Sequence, residues 1–582
     1  MTSPEPASDP TTDRPAADVD VLVVGGGITG IYQLYLAREA GFSVQLLEAG
    51  LGAGGTWYWN RYPGARFDSE SYTYAYLFSR ELFEEWEWRE HFAQQPEIER
   101  YLNHVVDRFD LRRHMRFGAR VTSADYDERA GIWTVEDDAG TQIRARYFIA
   151  ATGVLSIPYF PDVPGREEFG GESYHTGLWP DTPVDFTGKR VAVVGTGSSG
   201  VQIIPVIAET AASVTVLQRS PNWCTPLNNG PITPDEQVQL RKDFESIRAT
   251  LNTSPSGFLH VPHERAAFDD SDEERAAFFE GMWRSPGFSK LTSNYSDVMF
   301  DGDANAAWCD FLADKIRDIV EDPETAGRLI PKDHRFGEKR PPFVTAYFEV
   351  FNKPHVELVD LQATPIVRLT PEGIETTETQ RDLDMVVWAT GFDFGTGALA
   401  RMGIRGRGGR ALVDHWADGP KTFLGIQTTG FPNFFFPGGP HAAAGNNPRY
   451  NGDQVEFVTE TLIHLRAAGC DVIEVDEGAE RKWTSMVDRW ATKAPAFGEG
   501  SYYFGTNIPG KPRKYLLNSA GRPKLLADIA KVKESGYEDF TVSGCGGAPA
   551  RAPDPSPATQ LRPSPPASAA SPRSRGAAAG AP

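Results

Sequence analysis

The sequence predicts an α/β protein with two Rossmann-like dinucleotide-binding domains and a helical insertion. Two stretches, at residues 19–50 and 190–220, each have the pattern of a buried strand, a glycine-rich turn, an amphipathic helix and a second strand. Residues 233–330 differ, because they are charged, rich in phenylalanine and helical in pattern. A chain of 582 residues also exceeds what one hydrophobic core usually supports. We therefore expect more than one domain.

Both predicted domains are discontinuous along the chain. The expected boundaries are 1–19 for a disordered N-terminus, 20–155 and 385–543 for the first domain, 156–232 and 331–384 for the second, 233–330 for an insertion within the second, and 544–582 for a disordered tail. The two ends are rich in proline and in small or polar residues, and they lack the periodicity of helices or strands. Such segments bury too little apolar surface to fold.

Composition argues against several classes of function. The formal net charge of −21 disfavours binding to nucleic acid and to anionic membranes, since both repel an acidic protein. The sequence has neither a basic, apolar leader nor an apolar run of about 18 residues, so we expect a cytoplasmic protein. We also expect a monomer. Cys224, Cys309, Cys470 and Cys545 form no C-x-x-C pair. Reduced thiols are therefore expected, without disulfides or a metal site.

The first glycine turn has the pattern of a phosphate-binding loop. Gly25, Gly27 and Gly30 form G-x-G-x-x-G between strand and helix, where glycines permit a tight turn and close approach of a pyrophosphate to the helix N-terminus. Glu48 ends the next strand, where a carboxylate can accept hydrogen bonds from a ribose hydroxyl. A lone glycine motif could be an ordinary turn, but here strand, helix and acid are in register. This pattern predicts a dinucleotide site.

The second glycine turn differs at the end of its second strand. The residues expected to surround the pyrophosphate there are Gly195, Thr196, Gly197, Ser198, Ser199 and Gly200. Arg219 and Ser220 replace the acid, and a guanidinium binds a 2′-phosphate that a carboxylate would repel. An arginine without a ligand is the alternative interpretation. Otherwise one acid-type and one Arg-type module most simply bind FAD and NADPH, because hydride must pass between two cofactors.

Three segments resemble the type I Baeyer–Villiger monooxygenases. They are GGTWYWNRYPGARFD at 54–68, FGGESYHTGLWPD at 169–181 and ATGFD at 389–393, and the resemblance extends from about residue 20 to 541. It implies that the fingerprint residues Phe169, Gly171, His175 and Trp179 couple the two modules. It also implies that Thr56, Trp57, Asp68 and Tyr74 contact FAD. Without it, His175 and Trp179 would be interpreted as a packed pair; with it, His175 supports domain motion and cofactor positioning, not proton transfer.

The resemblance also implies a chemistry in which reduced flavin and O2 form a C4a-peroxide that attacks a ketone only as an anion. Such a site needs a cation that cannot release a proton, and arginine, with a pKa above about 12, meets that need. The segment FGEKRPPFVTAYFEVFN resembles the family's segment with the catalytic arginine, which assigns that role to Arg340, with Asp68 as its partner. Lys339 is then expected to join Arg219 at the 2′-phosphate. A solvated basic turn is the alternative for Lys339 and Arg340.

The substrate is expected between two segments rich in Gly, Pro and aromatic residues, at 436–450 and 501–513. Phe436, Pro437 and Tyr502 are the candidates there for a mobile lid, although many relatives carry Trp where Tyr502 stands. KRPP followed by YFEVFN resembles the branch that acts on large cyclic or terpenoid ketones. This implies oxidation of a polycyclic terpenoid ketone, such as a tricyclic sesquiterpenoid keto acid, to a lactone in antibiotic biosynthesis. Macrocyclic or steroid ketones, N- or S-hydroxylation and a flavin-bound redox sensor remain alternatives.

Overall fold

The chain is described by a computed structural model over most of its length. The described residues are 17–442, 445–492 and 501–546. The disorder expected for 1–16 and for 547–582 therefore falls outside the described residues. The first strand begins at Val19, so ordered structure starts within the stretch that was expected to be disordered.

An eight-stranded sheet forms the centre of the first module. Seven strands follow one another in the order Ile404–Arg405, Val121–Asp127, Ile132–Asp137, Gln142–Ala150, Val19–Val24, Val44–Glu48 and Met115–Phe117, and Phe434–Phe435 also pairs with Gln142–Ala150. Val19–Val24 lies parallel to both of its neighbours. Its last four side chains are all buried, as expected for a parallel strand covered on both faces. The predicted α/β fold is confirmed.

A five-stranded parallel sheet forms the second module. Its strands lie in the order Val356–Asp360, Ser213–Gln218, Arg190–Val194, Met385–Trp388 and Glu172–His175. Met385–Trp388 was expected to open the returning part of the first domain, but it pairs with two strands of this second sheet, so the expected boundary at 385 is wrong. The chain leaves the second module only after Trp388. A short run of four buried apolar residues is equally compatible with either sheet.

Helices and smaller sheets complete both modules. The α-helices are Ile28–Glu39, Thr56–Trp59, Ser71–Tyr74, Arg80–Glu85, Gln95–Arg108, Ser198–Thr210, Pro234–Lys242, Phe244–Thr253, Asp272–Arg284, Ser289–Thr292, Gly302–Ile319, Pro323–Leu329, Gly397–Ala400, Leu412–His415, Asn447–Ala468, Glu477–Ala491 and Arg522–Glu534. Short 3-10 helices are Arg112–His114, Arg166–Glu168, Thr176–Leu178, Ala267–Asp269, Glu349–Asn352, Arg407–Gly409 and Tyr502–Phe504. Among the other strands, Thr225–Pro226 pairs with Phe343–Val344, and Val472–Val475 pairs with Phe540–Ser543. In a three-stranded sheet, Gly373–Thr376 is the central strand and pairs with both Ile366–Thr370 and Gln380–Asp382. No helix in the described part of the chain is long and apolar enough to cross a membrane.

The insertion at 233–330 contacts both modules. Phe244, on its second helix, packs in a cluster with Leu77 and Phe83 of the first module. Trp308, on its longest helix, belongs instead to the core of the second module. The insertion therefore bridges the two modules, although the sequence pattern assigned it to the second alone.

A disulfide joins Cys470 to Cys545, so the expectation of four reduced thiols is wrong. Cys470 precedes the strand Val472–Val475, and Cys545 follows its antiparallel partner Phe540–Ser543. This pairing brings two cysteines 75 positions apart to the same end of a two-stranded sheet. Sequence spacing cannot reveal a contact of this kind. The other two cysteines are free.

Cys470→Ser is expected to lower the free energy of unfolding by about 2–4 kcal/mol, because the opened chain gains conformational entropy when unfolded. Urea denaturation of the parent and the variant measures the difference, provided that unfolding is reversible. A reductant should lower the parent's midpoint and leave that of Cys470→Ser where it is. Equal midpoints for the oxidised and reduced parent would contradict a stabilising role.

Candidate active site

The first glycine turn brings strand, helix and loop too close together for side chains. Gly25 has a φ of +110°, and a Cβ on Gly30 would lie 1.8 Å from the Gly25 carbonyl oxygen. A Cβ on Gly55 would lie 2.6 Å from the Cα of Gly27. Gly27 precedes the helix Ile28–Glu39, and no side chain caps that helix. Its N-terminal N–H groups are thus suited to a phosphate, and this cradle fits the pyrophosphate of FAD.

Glu48 lies beside this turn, buried at the end of its strand. Its carboxylate accepts hydrogen bonds from the N–H of Gly26 at 2.5 Å and from the N–H of Gly50 at 2.7 Å. An ionised carboxylate has about four acceptor sites, so two remain for ribose hydroxyls. The two backbone N–H groups therefore fix the orientation of this carboxylate.

The second glycine turn repeats this packing. Gly195 has a φ of +105°, and a Cβ on Gly200 would lie 2.2 Å from the Gly195 carbonyl oxygen. Gly197 precedes the helix Ser198–Thr210, again without a side-chain cap. Ser198 and Ser199 form the first turn of that helix. The cradle fits a second pyrophosphate.

Next to this turn, the residues expected to bind a 2′-phosphate converge. Lys339 Nζ donates a hydrogen bond to Ser220 Oγ at 2.8 Å, and Thr196 Oγ1 donates to the Ser220 carbonyl oxygen at 3.2 Å. The adjacent Arg219 is exposed. Burial lowers the pKa of Lys339 from its ordinary value; the charge of Arg219 adds to this effect, and that of Asp333 opposes it. Two cations held close together make this position suitable for a dianion.

Arg340 and Asp68 form a bidentate ion pair. Arg340 Nη1 lies 2.7 Å from Asp68 Oδ2, and Nη2 lies 2.6 Å from Oδ1. Burial disfavours the guanidinium charge, but the charge of Asp68 and its hydrogen bonds outweigh burial and raise the pKa of Arg340 above its ordinary value. The side chain of Arg340 still keeps 30% of its surface exposed. The pair therefore offers a fixed, permanent cation with one side open.

The insertion completes the surroundings of this pair. The guanidinium carbon of Arg340 lies 5.0 Å from the ring centre of Phe288, in a cation–π contact. A Cβ on the preceding Gly287 would lie 2.9 Å from the backbone oxygen of Asp68. The sequence did not single out Phe288. The one feature of the sequence that bears on Phe288 is the high phenylalanine content of the insertion, and such content is equally typical of core packing.

An aromatic cluster supports the loop that carries Asp68. Trp57 Nε1 donates to the Tyr74 hydroxyl at 3.1 Å, and the Phe67 ring stacks on Tyr74 with centres 4.8 Å apart. Burial raises the pKa of Tyr74 to about 12, so its hydroxyl stays protonated. Thr56 begins the short helix that contains Trp57. The cluster thus packs against Phe67, the residue before the catalytic candidate Asp68, and Tyr74 lies close enough for the charge of Asp68 to act on it.

Tyr502 lies near Arg340, on the segment expected to act as a lid. Burial raises the pKa of Tyr502, and the positive charge of Arg340 opposes that rise. The ring of Tyr502 meets Phe394 edge to face at 5.3 Å. Lys511 Nζ donates to Asp393 Oδ1 at 2.7 Å. The segment is therefore anchored on ATGFD.

Phe436 and Pro437 do not lie on a lid. Both are buried, and Phe436 belongs to the core cluster beside the first sheet, where it meets Trp416 edge to face at 5.5 Å. Their assignment as lid residues is wrong, because glycine and proline around an aromatic residue are also typical of a buried turn. Of the expected segment at 436–450, residues 443 and 444 lie outside the described part of the chain.

The fingerprint follows the edge strand of the second sheet and leads away from it. His175 ends the strand and is 2% exposed, and its Nδ1 accepts a hydrogen bond from the N–H of Gly177 at 2.9 Å. Its ring lies 4.8 Å from that of Phe160 and 5.9 Å from that of Phe392, one on each connection between the modules. Burial lowers the pKa of His175 to about 4. A neutral imidazole packed between the two connections is suited to positioning the modules relative to each other.

The other fingerprint residues pack around the same strand. A Cβ on Gly171 would lie 2.5 Å from the Asp384 carbonyl oxygen, so the close approach requires glycine. Phe169 packs against a core cluster of the second module, and Trp179 lies 5.3 Å from the ring of Tyr174. None of these contacts provides an acid or a base. The described residues also contain no group of three or more His, Cys, Asp or Glu side chains arranged to hold a metal ion.

The low pKa of His175 makes stability depend on pH. Below its ordinary pKa of 6.5, the imidazole takes up a proton in the unfolded chain but stays neutral in the folded one until about pH 4. The free energy of unfolding of the parent should therefore fall across this range. His175→Asn keeps an acceptor for the N–H of Gly177, and its free energy of unfolding should fall by about 3 kcal/mol less by pH 4. Denaturant midpoints from pH 7 to 4 measure the difference. Parallel curves for the two proteins would exclude a buried neutral His175.

Known proteins resemble the whole described fold. A family described as pyridine nucleotide-disulphide oxidoreductase matches residues 22–256. A 2-oxo-Δ3-4,5,5-trimethylcyclopentenylacetyl-CoA monooxygenase of Pseudomonas putida is 42% identical, covering 90% of this chain and 98% of that protein. A phenazine N-monooxygenase of Lysobacter antibioticus is 39% identical over 91% and 98% of the two chains. A Baeyer–Villiger monooxygenase of Pseudooceanicola batsensis is 37% identical over 90% and 96%.

Solved structures agree with these relatives. The structure of OTEMO in complex with FAD and NADP superposes with a TM-score of 0.88 at 42% identity, covering 91% of this chain and all of that one. Oxidized steroid monooxygenase bound to NADP superposes with a TM-score of 0.86 at 42% identity, covering 90% and 99%. On this evidence the chain belongs to the Baeyer–Villiger monooxygenases, flavin-dependent enzymes that use NADPH.

Proposed function

We propose that this enzyme uses FAD, NADPH and O2 to convert a cyclic ketone to a lactone, with Arg340 and Asp68 as its catalytic residues. The bidentate pair of Arg340 and Asp68 carries the proposal. It sets a permanent cation between the flavin-side loop and the second module, where an anionic oxidant would need charge stabilisation without a proton donor. When bound, FAD that NADPH has reduced supplies the activation of O2.

Each cradle has a separate task in this proposal. Gly25, Gly27 and Gly30 bind the FAD pyrophosphate, and Glu48 binds its ribose. The second turn binds the NADPH pyrophosphate through the residues Gly195, Thr196, Gly197, Ser198, Ser199 and Gly200. The 2′-phosphate is bound by Arg219, Ser220 and Lys339. Gly25 and Gly30 in the first turn, and Gly195 and Gly200 in the second, leave no room for a Cβ, and this close packing supports both assignments.

Arg340 would act on charge alone. Its guanidinium keeps its proton, stabilises negative charge on oxygen before attack, and then stabilises the negative oxygen that the attack creates on the substrate carbonyl. Asp68 fixes its orientation by two hydrogen bonds, and the ring of Phe288 covers one side of it. Tyr502 and the aromatic residues around it restrict water at the same place.

For the substrate, we infer a bulky cyclic ketone of terpenoid type. The Pseudomonas putida relative is named for a ketone on a trimethyl-substituted five-membered ring, and a second relative of known structure is named for steroids. Both names fit the branch that KRPP and YFEVFN resemble. Within that class we propose a tricyclic sesquiterpenoid keto acid, the substrate type of pentalenolactone D synthase, as the first compound to test.

Product analysis tests the proposed reaction. The holoenzyme, NADPH and O2 are supplied with monocyclic, tricyclic sesquiterpenoid and steroid ketones, and products are identified by mass spectrometry and NMR. The expected product is a lactone that has gained one oxygen atom, with the highest kcat/KM for a polycyclic ketone. NADPH consumption that no ketone accelerates would contradict an oxygenase, and a preference for the smallest ring would contradict the substrate class.

A second candidate function is oxidation at nitrogen. The phenazine N-monooxygenase relative is nearly as similar to this chain as the Pseudomonas putida enzyme is, so membership of the family does not by itself exclude it. Phenazine therefore belongs in the same panel of substrates. An N-oxide as the favoured product would replace the ketone assignment, whereas the cofactor sites would stay as proposed.

A further inference from the structure

A carboxylate lies among the groups proposed for the 2′-phosphate. Asp333 Oδ2 is 3.4 Å from Ser220 Oγ, which donates a hydrogen bond to it, and 3.7 Å from Lys339 Nζ. Asp333 thus contacts Ser220 and Lys339, the same two side chains that a 2′-phosphate would contact. A carboxylate here is unexpected, because it repels the ligand that Lys339 and Arg219 attract.

The structure also holds Asp333 in this place. Its other oxygen, Oδ1, lies 2.7 Å from Nδ1 of His334. An ionised carboxylate can only accept, so Nδ1 carries the proton of that ring. Burial of the imidazole lowers the pKa of His334, which leaves the ring neutral at neutral pH. The hydrogen bond from His334 therefore holds the Asp333 carboxylate in place without neutralising its charge.

The neighbouring groups also keep Asp333 ionised. Burial alone would raise the pKa of its carboxyl, but the hydrogen bond with His334 and the charge of Lys339 outweigh burial and lower it. At neutral pH the ionised carboxylate of Asp333 thus lies among the groups proposed for the 2′-phosphate, together with the cations Arg219 and Lys339. A 2′-phosphate that binds there meets attraction and repulsion together.

We propose that Asp333 limits the affinity of this enzyme for the 2′-phosphate of NADP, so that the oxidised cofactor can leave. The proposal rests on the proposed function, because it needs Arg219, Ser220 and Lys339 to form the phosphate site. When the cofactor leaves, Asp333 takes over Ser220 and Lys339, which lowers the cost of exposing the two cations. Asp333 is a specificity and release residue and has no part in the chemistry.

Binding of NADP⁺ to the FAD-loaded enzyme tests this role. Asp333→Asn keeps the size of the side chain and its acceptor for His334 but removes the charge. Calorimetry should show NADP⁺ binding about tenfold more tightly to the variant, from charges about 5 Å apart in water. NAD⁺, which lacks the 2′-phosphate, should change by less than about twofold. Stopped-flow release of NADP⁺ should slow by a similar factor, because affinity differences lie mostly in dissociation.

Glu338→Gln is the matched control. Glu338 is a second carboxylate whose charge acts on Lys339, so the substitution Glu338→Gln removes one negative charge from the same region. We expect a smaller effect, below about threefold, because its charge is not held against Ser220. Equal effects in the two variants would indicate net charge alone and overturn the role of Asp333. Unchanged or weaker NADP⁺ binding in Asp333→Asn would overturn it as well.

Two further variants separate this inference from the function on which it rests. Arg219→Ala and Lys339→Ala should each weaken NADP⁺ far more than NAD⁺. If neither does, the proposed 2′-phosphate site fails, and the inference fails with it. If both do but Asp333→Asn does not tighten binding, the site stands and the inference alone is wrong.

Discussion

Arg340→Ala is expected to lower the rate of lactone formation by about 10²- to 10³-fold. The variant loses the cation proposed to stabilise negative charge on oxygen, and it removes both of the hydrogen bonds that Arg340 donates to Asp68. Oxidation of NADPH should persist, because Arg340 is not among the residues proposed for either cofactor. The reducing equivalents should then appear as hydrogen peroxide. Lactone and peroxide, both measured per NADPH consumed, separate the two steps.

Two other substitutions sharpen this prediction. Arg340→Lys keeps a positive charge but cannot make the bidentate hydrogen bonds of a guanidinium to Asp68. It should therefore keep more activity than Arg340→Ala but less than the parent. Arg335→Ala removes an exposed arginine that immediately precedes the same segment and should leave the lactone yield unchanged. Full activity in Arg340→Ala, or equal losses in Arg335→Ala, would remove Arg340 from the mechanism. A loss of bound FAD in Arg340→Ala would show that the residue acts through cofactor binding.

The sequence predicts the cofactor modules well because their signals are local. Each glycine turn follows a strand and opens a helix within a few positions, so a single segment contains the whole pattern. Glu48 and Arg219 lie at the end of the next strand in their modules, a place that the βαβ pattern fixes. Local periodicity is thus enough to locate both glycine turns, and the assignment of one to FAD and the other to NADPH stays a prediction.

Contacts between distant segments are not predictable in this way. Arg340 and Asp68 are 272 positions apart, and only resemblance to a family brought them together before the structure did. No family pattern pointed to Phe288, although it covers the same guanidinium. The disulfide between Cys470 and Cys545 depends on a strand pairing that the sequence does not specify. Such contacts depend on tertiary packing, for which a single sequence has no local signal.

Burial produced errors of another kind. Phe436 stands among glycines and prolines, and that composition is common to mobile loops and to tight turns inside a core. Met385–Trp388 is apolar at every position, so it could belong to either parallel sheet. In both cases the composition indicates a buried segment or a turn, but it does not indicate which residues or strands pack against it. Pairing partners and core clusters decide such assignments.

Gly30→Ala is expected to leave less than about a tenth of the purified chains with bound FAD. The new Cβ would lie 1.8 Å from the Gly25 carbonyl oxygen, far inside contact distance. Strand and helix must separate to admit it, and this separation moves the N–H groups that would bind the pyrophosphate. Flavin absorbance per chain, measured after purification with added FAD, gives the occupancy.

Gly478→Ala and Gly200→Ala are the controls that make this prediction specific. Gly478 lies in the helix Glu477–Ala491 with nothing within 4 Å of a Cβ, so alanine there should leave both FAD content and stability intact. Gly200 mirrors Gly30 in the second module, where a Cβ would lie 2.2 Å from the Gly195 oxygen. Gly200→Ala should keep its flavin but lose reduction by NADPH. Normal FAD content in Gly30→Ala would mean that the cofactor does not depend on the first cradle, whereas loss of FAD in Gly200→Ala would show that the two cradles do not act separately.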